Sequence, residues 1–592
     1  MMTDSFPTGS IGRDWRPLRI WPASLIMASY WLAIAIGKPI GGPATFLTIL
    51  LASVLASFAM LGWWLLASQA TLWERLLIGL VMVAGCLGAN LLADKMTAGV
   101  PFVIFVLPWI LVGWWLVAAA FSRSSPRVRT SGLLFTILGG CLLTDALRFQ
   151  GVTGAMESSA TFRWRPRDED RFLAANRQRP DFPRDAANLS LSPTPHDWPE
   201  FRGPRRDNRA LGPTTLADWS EHPPKLRWKK LIGPGWSSFA VVGDYAFTQE
   251  QRGEREVIVA YQLTDGHEAW NYPLQERFEE AAAGPGPRAT PTLADDRLYA
   301  LSSQGSLVCL QASSGQLLWK NDLRTDTGAS TPIWGFASSP LVSYGTVSVI
   351  ACGPDNHAIA AYDAASGSLR WTAGRGNHGY ASCQAAEFDG VPQILATTNY
   401  GLQAFDINDG QLLWEHVWEL PHAARMLQPL IIEGHRLLLH SYLEGAKLLD
   451  IQRSQQQWQI DTRWWSRRLK SYFNDCVLLD GYLYGFDNNI FTCVALETGE
   501  ATWKKGRYGH GQVLLASRAK RLIVLGEFGE LILLAADPTQ HQELGKIQAL
   551  DGKTWNHPVL IDNLLLVRNA SQMACYELAE TAGQLPATAT TP

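Results

Sequence analysis

Apolar residues come in long unbroken runs before residue 148 and in short, alternating ones after residue 196. The runs at 20–36, 44–67, 76–93, 99–121 and 131–147 predict five membrane helices, since roughly 17 to 25 apolar residues cross a hydrocarbon layer. The fifth ends at Asp145 and decides parity: with it, the helical region starts on one side of the bilayer and ends on the other. Arg13, Arg16, Arg19, Arg75, Arg123, Arg127 and Arg129 flank one side, against Lys38 and Lys95 on the other. That bias marks the cytoplasmic face. The first run lacks a small-x-small cleavage site and reads as retained. Residues 1–19 are therefore expected to be a cytoplasmic tail and 20–147 a five-helix domain in the lipid bilayer. Everything after them is expected across the membrane.

Residues 148–196 carry mixed charge and proline with no sustained apolar period, as an exposed connector does. A short helix is expected at 168–176. From there the chain repeats itself. Similar phrases end at Trp228, Trp270, Trp319, Trp371, Trp414, Trp458 and Trp503, about 42 to 52 residues apart, and five have glycine four positions earlier: Gly266, Gly315, Gly367, Gly410 and Gly499. The period suits one four-stranded propeller blade per repeat, with the glycine in a turn and the tryptophan on the outer strand. A second register agrees. Eight short segments of small or polar residues, beginning at Ser237, Ala289, Ser338, Ala381, Leu427, Asn474, Gly511 and Asn556, precede the first strands of eight blades. The phrase at Trp228 precedes them all, so it is expected to supply the outer strand of the blade that starts near Asn556 and to close the ring. The fold class is thus an all-β, eight-bladed β-propeller over 197–578, behind five helices and ahead of a disordered tail at 579–592.

Composition narrows the chemistry. Fifty-one Lys and Arg face 54 Asp and Glu, for a net charge of -3, which supplies no phosphate-neutralising surface and argues against nucleic acid. Eight cysteines without a CxxC or closely spaced His/Cys group argue against zinc and covalently attached haem. Among 25 tryptophans, those in the apolar runs read mostly as interfacial anchors.

The phrases at 361–371 (AYDAASGSLRW) and 404–414 (AFDINDGQLLW) resemble the tryptophan-docking repeat of quinoprotein propellers that use pyrroloquinoline quinone (PQQ). The same repeat occurs in the propeller lipoprotein of the outer-membrane assembly machinery. Residues 197–211 (DWPEFRGPRRDNRAL) are similar to the lead-in of quinoprotein dehydrogenases. Helices ahead of an external propeller look like membrane-bound glucose dehydrogenase. The resemblance implies a bacterial inner-membrane protein with a periplasmic propeller. It also implies PQQ and Ca²⁺ as cofactors. The adjacent cysteine pair common in PQQ alcohol dehydrogenases is missing here.

The residues just before the eight lead segments are Trp236, Arg288, Ala337, Tyr380, Met426, Phe473, His510 and Trp555. Equivalent registers would gather them at one mouth of the channel. With Trp334, Arg425 and His557 they form an aromatic and cationic platform suited to a flat anion. On the resemblance, the cofactor-binding set is Trp236, Arg288, Trp334, Tyr380, Arg425, Phe473, His510, Trp555 and His557. Asp475 is the expected catalytic base, and Asp355 with Asn356 the nearest metal candidates. Two functions are expected from this reading. One is a membrane-anchored quinoprotein-type dehydrogenase that oxidises an alcohol or sugar and reduces membrane quinone. The other is a non-catalytic propeller that binds a periplasmic or envelope protein.

Overall fold

A computed structural model describes residues 16–37, 42–154, 157–176, 188–421, 423–433 and 435–580. The expected tails lie mostly outside these residues, as do Arg13 and Lys38. The chain forms two compact units, one of residues 1–152 with 156–165, the other of 153–155 with 166–592.

The first unit is helical. Trp21–Gly37 precedes Gly42–Gly62, which runs on through a π-helical turn at Trp63–Ala67; Leu72–Leu92 follows. A second π turn, Phe102–Val106, leads into Leu107–Ala120, and Pro126–Ala146 is the last long helix. Among the described residues, three stretches are long and apolar enough to cross a membrane: Thr45–Ala67, Leu72–Leu92 and Phe102–Ala120. That corrects the expectation of five. Trp21–Gly37 has only 17 residues, and Pro126–Ala146 contains Arg127, Arg129 and Asp145, whose charges lower its apolar content. Arg129 is fully buried and makes a two-pronged bond to Glu74, Nε to Oε1 at 2.9 Å and Nη2 to Oε2 at 2.6 Å. Glu74 also completes a capping box with Thr71 at the start of Leu72–Leu92, satisfying backbone donors that the first turn leaves open. The tryptophans divide by position. Trp21, Trp73 and Trp109 are exposed, whereas Trp63, Trp64 and Trp114 are buried against one another, with Trp64 and Trp114 at 5.7 Å. These three pack helices together and are not interfacial anchors.

The second unit is the propeller. Seven blades, with antiparallel strands starting at Ala240–Val242, Thr292–Ala294, Leu341–Ser343, Gln384–Phe388, Leu430–Ile432, Val477–Leu479 and Gln512–Ala516, each run outward in chain order, and the seventh sheet gains Arg209–Ala210 on its inner edge. The eighth begins at Val559–Ile561 and takes its outer strand, Lys225–Leu231, from ahead of the first blade, with Trp228 opposite Cys575. Closure by exchanged strands removes a free seam from the ring. The repeat tryptophans lie where the phrases require. A Cβ on Gly266, Gly315, Gly367 or Gly410 would come within 3 Å of the ring of Trp228, Trp270, Trp319 or Trp371 of the preceding blade. These glycines also have positive φ, so two independent constraints exclude a side chain there. The indole N–H groups of Trp228 and Trp270 reach the carbonyls of Leu263 and Ala312 at 2.8 and 2.9 Å.

Blade five departs from the phrase. Its outer hairpin, Gly445–Ser454 with Gln457–Ser466, has ten-residue strands, and Trp464, not Trp458, docks on the next blade. The Trp464 N–H donates to the Leu496 carbonyl at 2.8 Å, and its ring covers Gly499. Trp458 sits at the far end of that hairpin beside Arg453. The expected helix is present as Asp168–Asn176, with Glu169 paired to Arg277 at 3.0 Å.

Candidate functional site at the propeller axis

The innermost strands converge on the axis, so whatever lies between them controls access to the channel. The segment that leads into the propeller lies there. Trp198 exchanges backbone hydrogen bonds with Val241 of blade one, and the Pro199 carbonyl accepts from Leu293 N–H of blade two at 2.8 Å. Arg206 donates to the Ser339 and Pro340 carbonyls of blade three at 3.0 and 3.2 Å. Gln384 of blade four donates to the Arg205 carbonyl, and Gln428 of blade five to that of Arg206. Arg202 pairs with Asp475 of blade six at 2.9 Å. Arg209–Ala210 then runs parallel to Gln512–Ala516 of blade seven. A Cβ on Gly212 would come within 3.1 Å of Leu560 in blade eight. One segment therefore touches every blade.

Its backbone is costly on its own. Arg202, Arg206 and Asn208 all have positive φ, a region that non-glycine residues seldom occupy unless the surroundings impose it. Gly203 lies against the Trp198 ring, which a Cβ would meet at 3.0 Å. Charge is balanced inside the plug. Arg206 pairs with Glu200 at 2.9 Å, and Arg202 with Asp475. Both arginines are buried, where a charge without its counter-ion is strongly destabilising.

Asp475 accordingly sits in a closed network. Its Oδ2 lies 2.9 Å from His557 Nε2 and accepts from Asn208 at 3.4 Å. Burial alone would raise its pKa, but the Arg202 guanidinium and His557 hold it below the usual carboxylate range. His557 meets the Phe201 ring edge-on at 4.8 Å, so the expected base and one expected cofactor ligand both contact the plug.

The mouth residues do gather, in two groups. Trp236 and Phe473 each pack on Trp555 with centroids 4.9 Å apart, and His510 lies 6.0 Å from Phe473. In the second group Trp334 and Tyr380 pack at 4.9 Å. Arg288 donates to the carbonyls of Trp334, Gly286 and Gly284 and pairs with Glu280 at 3.1 Å. Arg425 donates to the carbonyls of Thr398, Trp418 and His440. Asp355 and Asn356 are elsewhere, with Arg375, Asn377, Tyr400 and Glu419 in an open groove of about 410 Å³.

Sequence reasoning missed Glu527, Lys553, Arg202, Arg206 and Asn208. Glu527 accepts from Trp555 Nε1 at 2.9 Å, from His510 N–H at 3.0 Å and from Gly154 N–H at 2.6 Å. Burial works against its charge, yet His510 and the Gly154 N–H bring its pKa to about 2. Lys553 lies 4.4 Å from the Trp555 ring centre and 5.4 Å from that of Trp236, and burial lowers its pKa to about 8. Four arginines within residues 202–209 were the available signal for the plug.

A flat anionic quinone held through Ca²⁺ needs an open aromatic face, uncommitted cations and clustered oxygen ligands. The residues present do not fit that group. The rings cover one another, Arg288 and Arg425 spend their donors on carbonyls and Glu280, and Asp475 is taken by Arg202, Asn208 and His557. Among the described residues, no three His, Cys, Asp or Glu side chains are grouped to hold a metal ion.

A family model described as outer membrane protein assembly factor BamB matches residues 254–505. No curated protein matches the chain. Solved structures similar to it include BamB from Moraxella catarrhalis, at 15% identity and TM-score 0.44 over 60% of this chain and 99% of that one. A quinohemoprotein alcohol dehydrogenase from Pseudomonas putida is 14% identical, with TM-score 0.48 over 70% and 83% of the two chains. Its counterpart from Comamonas testosteroni is 12% identical, with TM-score 0.47 over 71% and 85%.

Proposed function

We propose that this chain is a membrane-anchored, non-catalytic propeller that binds a protein of the bacterial cell envelope. Its N-terminus would be cytoplasmic and its propeller periplasmic. The observation that carries this reading is the lead-in segment across the axis: where a quinoprotein needs a cavity, residues 198–210 contact the innermost strands. A propeller sealed in this way still offers its rim and loops to a partner. In the competing reading, a dehydrogenase would pass electrons from PQQ to membrane quinone; that requires the plug and the aromatic layer to open. The matched family description belongs to an assembly factor, which agrees with the binding role without naming the partner.

The test is cofactor binding by the full chain in detergent. Titration with PQQ, with and without Ca²⁺, is followed by calorimetric heat and absorbance. No saturable binding is expected up to about 100 μM, roughly -5.5 kcal/mol. Saturable, Ca²⁺-dependent binding by folded protein would replace this reading with the dehydrogenase.

A further inference from the structure

We propose that the axial mouth is a receptor for a glycine backbone N–H, and that the chain's own Gly154 occupies it. This rests on the protein-binding reading and adds where and by what chemistry a polypeptide is held. Gly154, which belongs to the propeller unit, donates its N–H to Glu527 Oε1 at 2.6 Å. A Cβ on Gly154 would lie 2.2 Å from His510 Nδ1, and His510 is itself buried, so the ring has little room to retreat. Glycine is the residue that fits.

Glu527 explains why a backbone N–H is wanted. The carboxylate is 2% exposed and cannot rely on water for its acceptor sites. Trp555 and His510 supply two donors, and Gly154 supplies the third. A buried acceptor that loses a donor bears its desolvation cost, which is larger for a charged group. Lys553, Glu280 and Arg288 are the other charges around this mouth, and Trp236, Trp555 and Phe473 form its apolar floor. The recognised feature is thus a glycine N–H over an aromatic floor, read by one carboxylate. Any external polypeptide using this mouth must offer the same N–H and displace Gly154.

The experiment uses the full chain in detergent, as wild type and as Gly154→Asp. The aspartate adds both bulk against His510 and charge against Glu527. Gly154→Ala serves as the milder second variant. Hydrogen exchange at residues 510–512 and 555–557 is expected to quicken in both variants, more in Gly154→Asp. A labelled peptide of residues 150–158 is then titrated in. Saturable binding to Gly154→Asp, at least tenfold tighter than to wild type and lost when the peptide's residue at position 154 is replaced by valine, is expected. Unchanged exchange, equal binding to both proteins, or no binding to the variant would overturn the proposal. PQQ titration of the same variant separates the two readings: uptake there would sink the non-catalytic function, whereas peptide failure alone would leave it standing.

Discussion

Glu256 shows how far one buried residue can depart from its solution chemistry. Ser303 N–H donates to its Oε2 at 3.0 Å, and its Oε1 has no partner. Burial, with a smaller contribution from Glu276, raises its pKa from 4.5 to about 7. A raised folded-state pKa means that the folded protein holds this proton more tightly than the unfolded chain. The stability it confers is complete below pH 4.5 and is lost as pH rises through about 7. Glu256→Gln has no proton to lose. Its stability relative to wild type should therefore increase between pH 4.5 and 8, by up to roughly 3 kcal/mol at about 1.4 kcal/mol per pH unit. Denaturant midpoints at several pH values measure this; parallel pH profiles would show that Glu256 titrates normally. Glu256 carries no sequence signature, because its environment comes from Ser303 and Glu276 on distant stretches of chain.

At the scale of elements, the blades were legible because docking repeats locally: one glycine, one tryptophan and a fixed turn. Ring closure by Lys225–Leu231 followed from the same repeat. The register failed at blade five, where a hairpin of ten-residue strands placed Trp458 at a spacing that matched the period by coincidence. Truncating the docked rings tests the corrected register. Trp414→Ala, which removes a buried ring bonded to Gln393 at 2.7 Å, should cost about 3–5 kcal/mol. Trp464→Ala, which also loses the bond to Leu496, should cost more than Trp458→Ala. The reverse order in chemical unfolding would restore the original register. In the helical unit, hydropathy made the long helices readable and missed what joins Leu72–Leu92 to Pro126–Ala146. Glu74→Gln leaves Arg129 buried without its counter-ion and should cost about 3–5 kcal/mol, read as a lower melting temperature of the detergent-solubilised protein. An unchanged temperature would mean that the pair is solvated.

The whole molecule turns on the relation between ring and axis. The repeat placed Trp236, Phe473, His510 and Trp555 together because each holds an equivalent position in its blade. The plug could not be found that way, since Arg202, Arg206 and Asn208 occur once and take their positions from contacts with blades three, five, six and seven. A mouth that reads as a ligand platform from one register becomes a packed floor once the lead-in segment is beneath it. That segment makes the central claim measurable by hydrogen exchange on the full chain. The amides of Asn208, bonded to Arg202 within the plug, and of Leu515, which bonds blade seven to Asn208, should exchange only through global unfolding. Their rates should be the same with and without PQQ and Ca²⁺. Fast exchange at both amides while the blade strands stay protected, or a change on adding PQQ and Ca²⁺, would contradict a sealed axis.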